Sequence, residues 1–391
     1  MDSECKRQAL AEDRINVLPD ALPSHILSCI DPKLTKCVVR TSILSKRWKN
    51  MWASVPNLYF NDQDFSSSAG FITFVDHALD IRDSSAIKKF DLSFTRFELC
   101  AEALSRIDDW ISTAVKCHAE QLRLHVNTGR DKIFELPKSL FTCETLTVLK
   151  LGLNFIINIP TSECFPRLKL LHVTFDKPRV VCPAYDSIDF SYCCVLEHLI
   201  IDGSLRDDDF NFNISFEGLF SNYIFENIKS LVEANIKVTY DLLEQAASVN
   251  RTTKLLAGIS SVKCLYLSSP FSKGSSVAAF NDLRKLTLFR IFIYSEWRYP
   301  FLPHWSPPES VANCLSSHLK TICIKAFKGK RFFGHLDEME VIKYLLNNGQ
   351  VLEKMTIYTS GLSTDAEELN GELSTFERSS GTCQVELIEE L

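Results

Sequence analysis

The chain has 391 residues, 46% of them apolar and 24% charged, which suits two or three packed domains or one elongated array and is too apolar for disorder. Lys and Arg number 43 against 49 Asp and Glu, a net charge of −6, so no bulk cationic charge exists to hold a nucleic-acid backbone. No run approaches the ~18 uninterrupted apolar residues of a membrane span, and the polar start Met1-Asp2-Ser3-Glu4-Cys5-Lys6-Arg7 lacks a signal core, which predicts a cytoplasmic or nuclear protein.

Residues 1–12 read as a charged leader. In 13–60, Leu18-Pro19-Asp20 is a helix-entry signal, because Pro is tolerated in a first turn and Asp suits the N-terminal dipole. Leu22, Ile26, Leu27 and Ile30 follow at helical spacing. After Asp31-Pro32 a second pattern runs through Leu34, Cys37, Val38, Ile43, Leu44 and Trp48, with Trp52 one turn beyond. Helices this short bury too little surface to stand alone and need a partner, in the chain or outside it. Lys46-Arg47-Trp48-Lys49 could contact phosphate, but with an acidic chain around it a solvated or partner-facing helix end is the better reading.

Asn61 to Gly70 reads as a polar linker. Phe71, Phe74, Val75, Ala78 and Leu79 then predict an amphipathic helix. From about Ile87 an apolar pattern recurs: one apolar residue, two variable ones, an apolar one, a variable one, an apolar one. Leu146-Leu149-Leu151, Leu168-Leu171-Val173, Leu196-Leu199-Ile201, Val262-Leu265-Leu267 and Leu283-Leu286-Leu288 are the clearest copies. Ile87-Phe90-Leu92, Ala119-Leu122-Leu124, Leu231-Ala234-Ile236, Leu319-Ile322-Ile324 and Leu352-Met355-Ile357 are weaker ones. Each copy predicts a short strand with inward apolar residues, paired in parallel with its neighbours. Asp241–Ala247 and Thr253–Gly258 are helix candidates between strands. The uneven steps predict an irregular α/β solenoid rather than a smooth horseshoe; strand core in another α/β fold is the alternative.

By strand alternation the residues between the inward positions share the opposite, concave face. It collects apolar, aromatic and both kinds of charged residue, a mixture suited to a protein or peptide. His172, His198, Tyr266, Lys285 and Phe289 are the candidate partner-binding residues, Tyr266 and Phe289 first because aromatic residues dominate binding hot spots.

Pro300, Pro303, Pro307 and Pro308, around Trp297 and Trp305, mark a break before a last unit, 301–391. There Met339, Ile342, Leu345 and Leu346 form a helix stripe, Asn347-Asn348-Gly349 suggests a left-handed cap, and Leu352 to Ile357 predicts a strand.

Catalytic signatures are missing: no G-x-S-x-G, phosphate loop, G-x-G-x-x-G or H-E-x-x-H occurs. Cys117 lies near His118 and His125, and Asp207-Asp208-Asp209 could attract a cation, but strand residues and a solvated loop explain them better. The 14 Cys are scattered, without a C-x-x-C pair, and read as small buried hydrophobes rather than as metal or redox groups.

Asp13-Arg14-Ile15, Leu18-Pro19-Asp20, Ile26-Leu27, Arg40-Thr41-Ser42, Leu44-Ser45-Lys46-Arg47-Trp48 and Trp52 resemble a plant F-box, with a longer link between Ile30 and Val39 than its commonest form. Glu340 to Leu346, Val351 to Met355, Phe376-Glu377-Arg378-Ser379-Ser380 and Cys383-Gln384 resemble the FBD domain that ends many plant F-box proteins. The chain is thus similar to the plant F-box/leucine-rich-repeat/FBD family, with an F-box at 13–60, a repeat solenoid at 61–300 and an FBD-like unit at 301–391. The resemblance implies a non-catalytic substrate receptor of an SCF-type ubiquitin ligase, without cofactor. It would dock a Skp-type adaptor, and through it cullin and RING subunits, by Leu18, Pro19, Ile26, Leu27, Ile30, Val39, Leu44 and Trp48. The target protein would sit on the repeats. A repeat scaffold acting without a ligase, a helical hairpin packed on its own chain, and a receptor needing a small-molecule ligand are the other readings.

Overall fold

The computed structural model describes residues 19, 22, 25–27, 30–31, 33, 35–41, 52–82, 86–97, 101–126, 136–153, 164–176, 188–189, 193–204, 223–224, 228, 230–238, 256–268, 280–289, 307–308, 310–327, 335–360 and 366–390. The leader, Asp207–Asp209, the helix candidate Asp241–Ala247, Trp297, Pro300, Pro303 and Trp305 lie outside these residues. The chain divides into two compact units, 1–122 and 123–391.

In the first unit, helix α1 (Thr35–Arg40) precedes strand β1 (Asn57–Asn61), helix α2 (Ser68–Asp80), strand β2 (Lys89–Phe94) and helix α3 (Ala101–Lys116). Strand β3 (Gln121–Val126) begins at its end. β1 and β2 are parallel, with Leu58 beside Phe90 and Phe60 beside Leu92, and all four side chains are buried. α2 starts where Ser67 Oγ accepts the Gly70 N–H at 3.2 Å, the bond expected of an N-cap serine. Its predicted stripe is the buried one: Phe71, Val75, Ala78 and Leu79 face inward. α3 buries Ala103, Ile107, Trp110, Ile111 and Ala114, again at helical spacing. Between these layers the rings of Phe60, Phe65, Phe71, Phe74, Phe90, Phe94 and Trp110 meet at 5.1–6.1 Å, mostly edge-on or tilted, as ring quadrupoles favour.

The stretch from Asn61 is a packed corner, not the polar linker its composition suggests. Asn61 closes β1 and its Oδ1 accepts the Gln63 N–H at 3.0 Å. Asp62 is fully buried, and its Oδ2 accepts the backbone N–H groups of Arg96 and Phe97 at 2.7 and 3.1 Å. Two amides thus hold a carboxylate that sequence reasoning assigns to solvent, and Phe65 packs its ring on Phe71 and Phe74.

In the second unit helix α4 (Lys138–Phe141) leads into β4 (Val148–Leu153) and β5 (Leu170–Asp176). β6 (Ile188–Asp189) and β8 (Tyr223–Ile224) form a separate two-stranded parallel ribbon, with β7 (His198–Ser204) between them in sequence. Then come β9 (Glu233–Val238), β10 (Cys264–Ser268), β11 (Lys285–Phe289), helix α5 (Asn313–Ser317), β12 (Thr321–Phe327), helix α6 (His335–Asn348), β13 (Lys354–Ser360), helix α7 (Ala366–Ser374) and β14 (Gln384–Glu390). From β4 to β14, leaving the ribbon aside, every strand pairs with the next in parallel. The fold is α/β, an irregular solenoid of parallel strands laid down in chain order.

The register joins the repeat copies as the periodicity predicts. Leu149, Leu171, Leu199, Ala234, Leu265, Leu286, Ile322 and Met355 are consecutive partners, as are Leu151, Val173, Ile201, Ile236, Leu267, Leu288, Ile324 and Ile357. Every one of these is buried. Burial of each large side chain in these rows contributes about 1.5–3 kcal/mol. Parallel strands buried this way need crossover segments, which the intervening helices and turns supply.

Strand entry is set by a main-chain clasp. The Thr147 carbonyl accepts the N–H groups of Lys169 and Leu170, and the Lys169 carbonyl those of Glu197 and His198. Glu197, Val232, Lys263, Arg284 and Lys320 repeat the arrangement down the unit, each taking two amides from the next copy. In the first unit the Pro56 carbonyl does the same for Lys88 and Lys89.

α6 buries the predicted Met339, Ile342, Leu345 and Leu346. Its end differs from expectation: Gly349 is not left-handed, and its N–H still bonds the Leu345 carbonyl at 2.9 Å. Glycine is required there for closeness, since a Cβ would lie 2.8 Å from the Leu345 carbonyl oxygen and 3.2 Å from Leu352 Cβ. Cys143, Cys164, Cys193, Cys314 and Cys383 are buried, and none of the described cysteines forms a disulfide. Burial pushes the Cys314 thiol up to about 11.

Candidate interaction surfaces

The first surface lies at the N-terminal helical segment. Pro19 is exposed, and its carbonyl accepts the Leu22 N–H at 2.9 Å, opening a helical turn. Leu22 and Ile26, one turn apart, are 46% and 48% exposed, large apolar side chains on one face. Leu27 points the other way. It is 2% exposed and packs in the chain's own core, lining a small cavity with Val38, Trp52, Val55 and Leu58. Ile30 and Val39, both half-buried, line the same cavity. Adjacent helical positions cannot face one direction, so Ile26 and Leu27 divide between outside and inside. Leu18, Leu44 and Trp48 lie outside the described residues. Three contacts anchor α1: the Lys36 ammonium sits 4.0 Å from the Phe65 ring centroid and donates to the Asp64 carbonyl, and Thr35 Oγ1 accepts the Tyr59 N–H.

The second surface is the outward face of the second unit's strands. Register and alternation arrange it in rows. One runs Val148, Leu170, His198, Glu233, Cys264, Lys285, Thr321 and Lys354. The next runs Lys150, His172, Ile200, Asn235, Tyr266, Thr287, Cys323 and Thr356. Gly152, Thr174, Asp202, Lys237 and Ser268 open a third, which continues on the far strands with Phe289 and its partner Lys325.

Among the candidates, Tyr266, Lys285 and Phe289 are brought together. The Lys285 ammonium stands 5.6 Å from the Tyr266 ring centroid, and the Phe289 ring is flanked by Lys237 and Lys325, each at 5.6 Å. Lys325 also reaches Tyr358, at 5.4 Å. His198 is nearer the N-terminal strands, its Nδ1 3.4 Å from Glu233 Oε2. His172 lies one strand earlier, its Nε2 3.2 Å from Thr174 Oγ1. Burial, then the charge of Lys150, holds its imidazole below the ordinary range, while Asp202 acts in the opposite sense. Lys325 and Tyr358 are part of the cluster but fall in the weaker repeat copies; extending the same alternation two strands further finds them.

The residues considered for catalysis have structural places. His118 has a φ of 59° in the turn after α3, and its N–H bonds the Val115 carbonyl. The Cys117 carbonyl accepts the Ile87 N–H, and the His125 ring lies where a Cβ on Gly152 would stand, at 2.8 Å. Among the described residues no group of His, Cys, Asp or Glu could hold a metal ion.

An FBD family model matches residues 307–357, which contain α5, β12, α6 and the start of β13. An F-box/FBD/LRR-repeat protein of Arabidopsis thaliana is 27% identical over 419 residues, covering 93% of this chain and 89% of that one. Another of that name and organism is 27% identical over 454 residues, covering 97% and 95%. An FBD-associated F-box protein of Arabidopsis thaliana is 26% identical over 435 residues, covering 95% and 99%.

Proposed function

The chain is a relative of the F-box/FBD/LRR-repeat proteins along nearly its whole length, and from that premise we propose that it is the substrate-recognition subunit of an SCF-type ubiquitin ligase. Its N-terminal face docks a Skp-type adaptor, which brings cullin and RING subunits. Its sheet face receives the target protein. The observation that carries this reading is the similarity, 27% identical over nearly the full length of both chains, to proteins named F-box/FBD/LRR-repeat. The chain itself then does no covalent chemistry. It raises the effective concentration of a target amine near a ubiquitin thioester held by its partners. No helix among the described residues is long and apolar enough to cross a membrane, which suits work in the cytosol or nucleus.

Pro19, Leu22, Ile26 and the sequence-predicted Leu18, Leu44 and Trp48 form the adaptor contact, with Ile30 and Val39 at its edge. Leu27 supports it from beneath. Because Leu22 and Ile26 are exposed, replacing both with Ser leaves the chain folded. Removing two apolar anchors worth about 1.5–3 kcal/mol each cuts adaptor capture by orders of magnitude. A pull-down in which Leu22→Ser with Ile26→Ser keeps full adaptor binding defeats this assignment of the face. A wild-type chain that binds no Skp-type adaptor defeats the ligase reading and leaves a scaffold that binds its target alone.

A further inference from the structure

Within the sheet face, Lys237, Lys285 and Lys325 are held by rings, not by carboxylates. Tyr266 carries Lys285, Phe289 lies between Lys237 and Lys325, and Tyr358 takes Lys325 from the other side. Ser268 is the register partner of Lys237 on the strand that separates it from Phe289. Separations of 5.4–5.6 Å are near the outer limit of cation–π attraction, so the rings position the ammonium groups without neutralising them. Of the carboxylates on this face, Glu233 faces His198 at 3.4 Å, Glu386 pairs with Lys354 at 2.8 Å, and Asp202 is the register neighbour of Lys237. A chain with net charge −6 therefore presents a local patch of three cations, interleaved with three aromatic rings, that outnumber the acid beside them. In the row that holds Tyr266, Thr287 Oγ1 and Asn235 Oδ1 are buried without hydrogen-bond partners.

We infer that this patch binds an acidic peptide segment, rich in Asp or Glu with interspersed aromatic residues, belonging to the target. This rests on the reading that the sheet face receives the target. Carboxylate is favoured over phosphate because the three ammonium groups stand on three different strands, a spacing that suits single charges spread along a peptide better than one concentrated double charge. Nucleic acid is disfavoured by the overall negative charge and by Asp202 and Glu233 on the same face.

The test is fluorescence anisotropy with the full chain bound to its adaptor and a labelled octapeptide of six glutamates and two phenylalanines. Its counterparts carry lysine in place of glutamate, or phosphoserine at equal net charge, and an oligothymidylate completes the set. The glutamate peptide binds, the lysine peptide does not, and affinity falls as salt rises from about 50 to about 500 mM. Lys237→Gln with Lys285→Gln and Lys325→Gln weakens binding about ten-fold or more while the melting temperature holds, and Phe289→Leu with Tyr358→Leu weakens it further. Equal binding of the glutamate and lysine peptides overturns the inference. So does tighter binding of the phosphoserine peptide or the oligonucleotide, or indifference to the triple substitution. Adaptor capture is measured on the same samples: retained capture with failed peptide binding refutes the patch alone, whereas lost capture refutes the ligase reading.

Discussion

The backbone N–H of Tyr59 donates to the side-chain oxygen of Thr35 across 2.8 Å. Tyr59 belongs to β1, which among the described residues is the first strand in the sheet order and pairs with a strand on one side only. A hydroxyl from α1 caps that edge where another strand would otherwise pair. The N-terminal helical segment is thereby tied to the first strand by a polar bond as well as by Leu27, Val38 and Trp52.

Thr35→Val keeps the shape and removes the acceptor. It should cost about 1 kcal/mol and speed hydrogen exchange at the Tyr59 amide, whereas Thr35→Ser should leave both nearly unchanged. Exchange read by mass spectrometry decides it; an unaltered Tyr59 amide in the Val variant would show that the bond carries no weight.

Asp62 offers a larger effect. Asp62→Ala strands the Arg96 and Phe97 amides in a buried corner and should lose about 3 kcal/mol in urea unfolding. Asp62→Asn retains an acceptor oxygen and should lose much less. A loss under about 0.5 kcal/mol for Ala, the level of an ordinary surface substitution, would mean the corner rearranges.

Gly349→Ala tests packing without charge. A Cβ there has 2.8 Å to a backbone oxygen, and backbone cannot swing aside as a side chain does. The variant should lose about 1–3 kcal/mol, visible as a lower melting temperature, while Gly381→Ala, where nothing lies within 4 Å, should be close to neutral.

His172 gives a pH signature. Its folded pKa lies below the ordinary 6.5, first because of burial and then because of Lys150. Between the folded and unfolded values the unfolded chain binds the extra proton, so stability rises with pH across that window. The contribution is intact above pH 6.5 and is lost as pH falls toward the folded value. Replacing His172 with Gln should flatten that part of the stability–pH curve; an identical slope in wild type and variant would assign the dependence elsewhere.

The parallel strands and their inward rows were legible in the sequence because one apolar side chain at each fixed position reports its own burial. Ala234 shows how little is needed: it lacks a leucine's bulk, yet alternation alone places it between Leu199 and Leu265. The exposed Ile26 and the buried Leu27 were not separable, since a helical stripe locates a face only to within a residue. Asp62 was illegible for a different reason. A carboxylate in a run of Asn, Asp, Gln and Ser carries no sign that two amides thirty-odd residues away will close over it. The lysine–ring cluster follows from register once strand pairing is known, but its charge balance depends on which acids are already engaged, and pairing distances are not written in spacing.

The paired amides taken up by each carbonyl at the strand entrances are main-chain groups, indifferent to the side chains beside them. Successive copies accordingly differ in length, from 21 residues between Leu265 and Leu286 to 36 between Leu286 and Ile322, without a break in pairing. What the molecule needs in order to fold and what it displays to others are written in different alphabets. Residues of the outward face can therefore change without disturbing the main-chain bonds that align the strands beneath them.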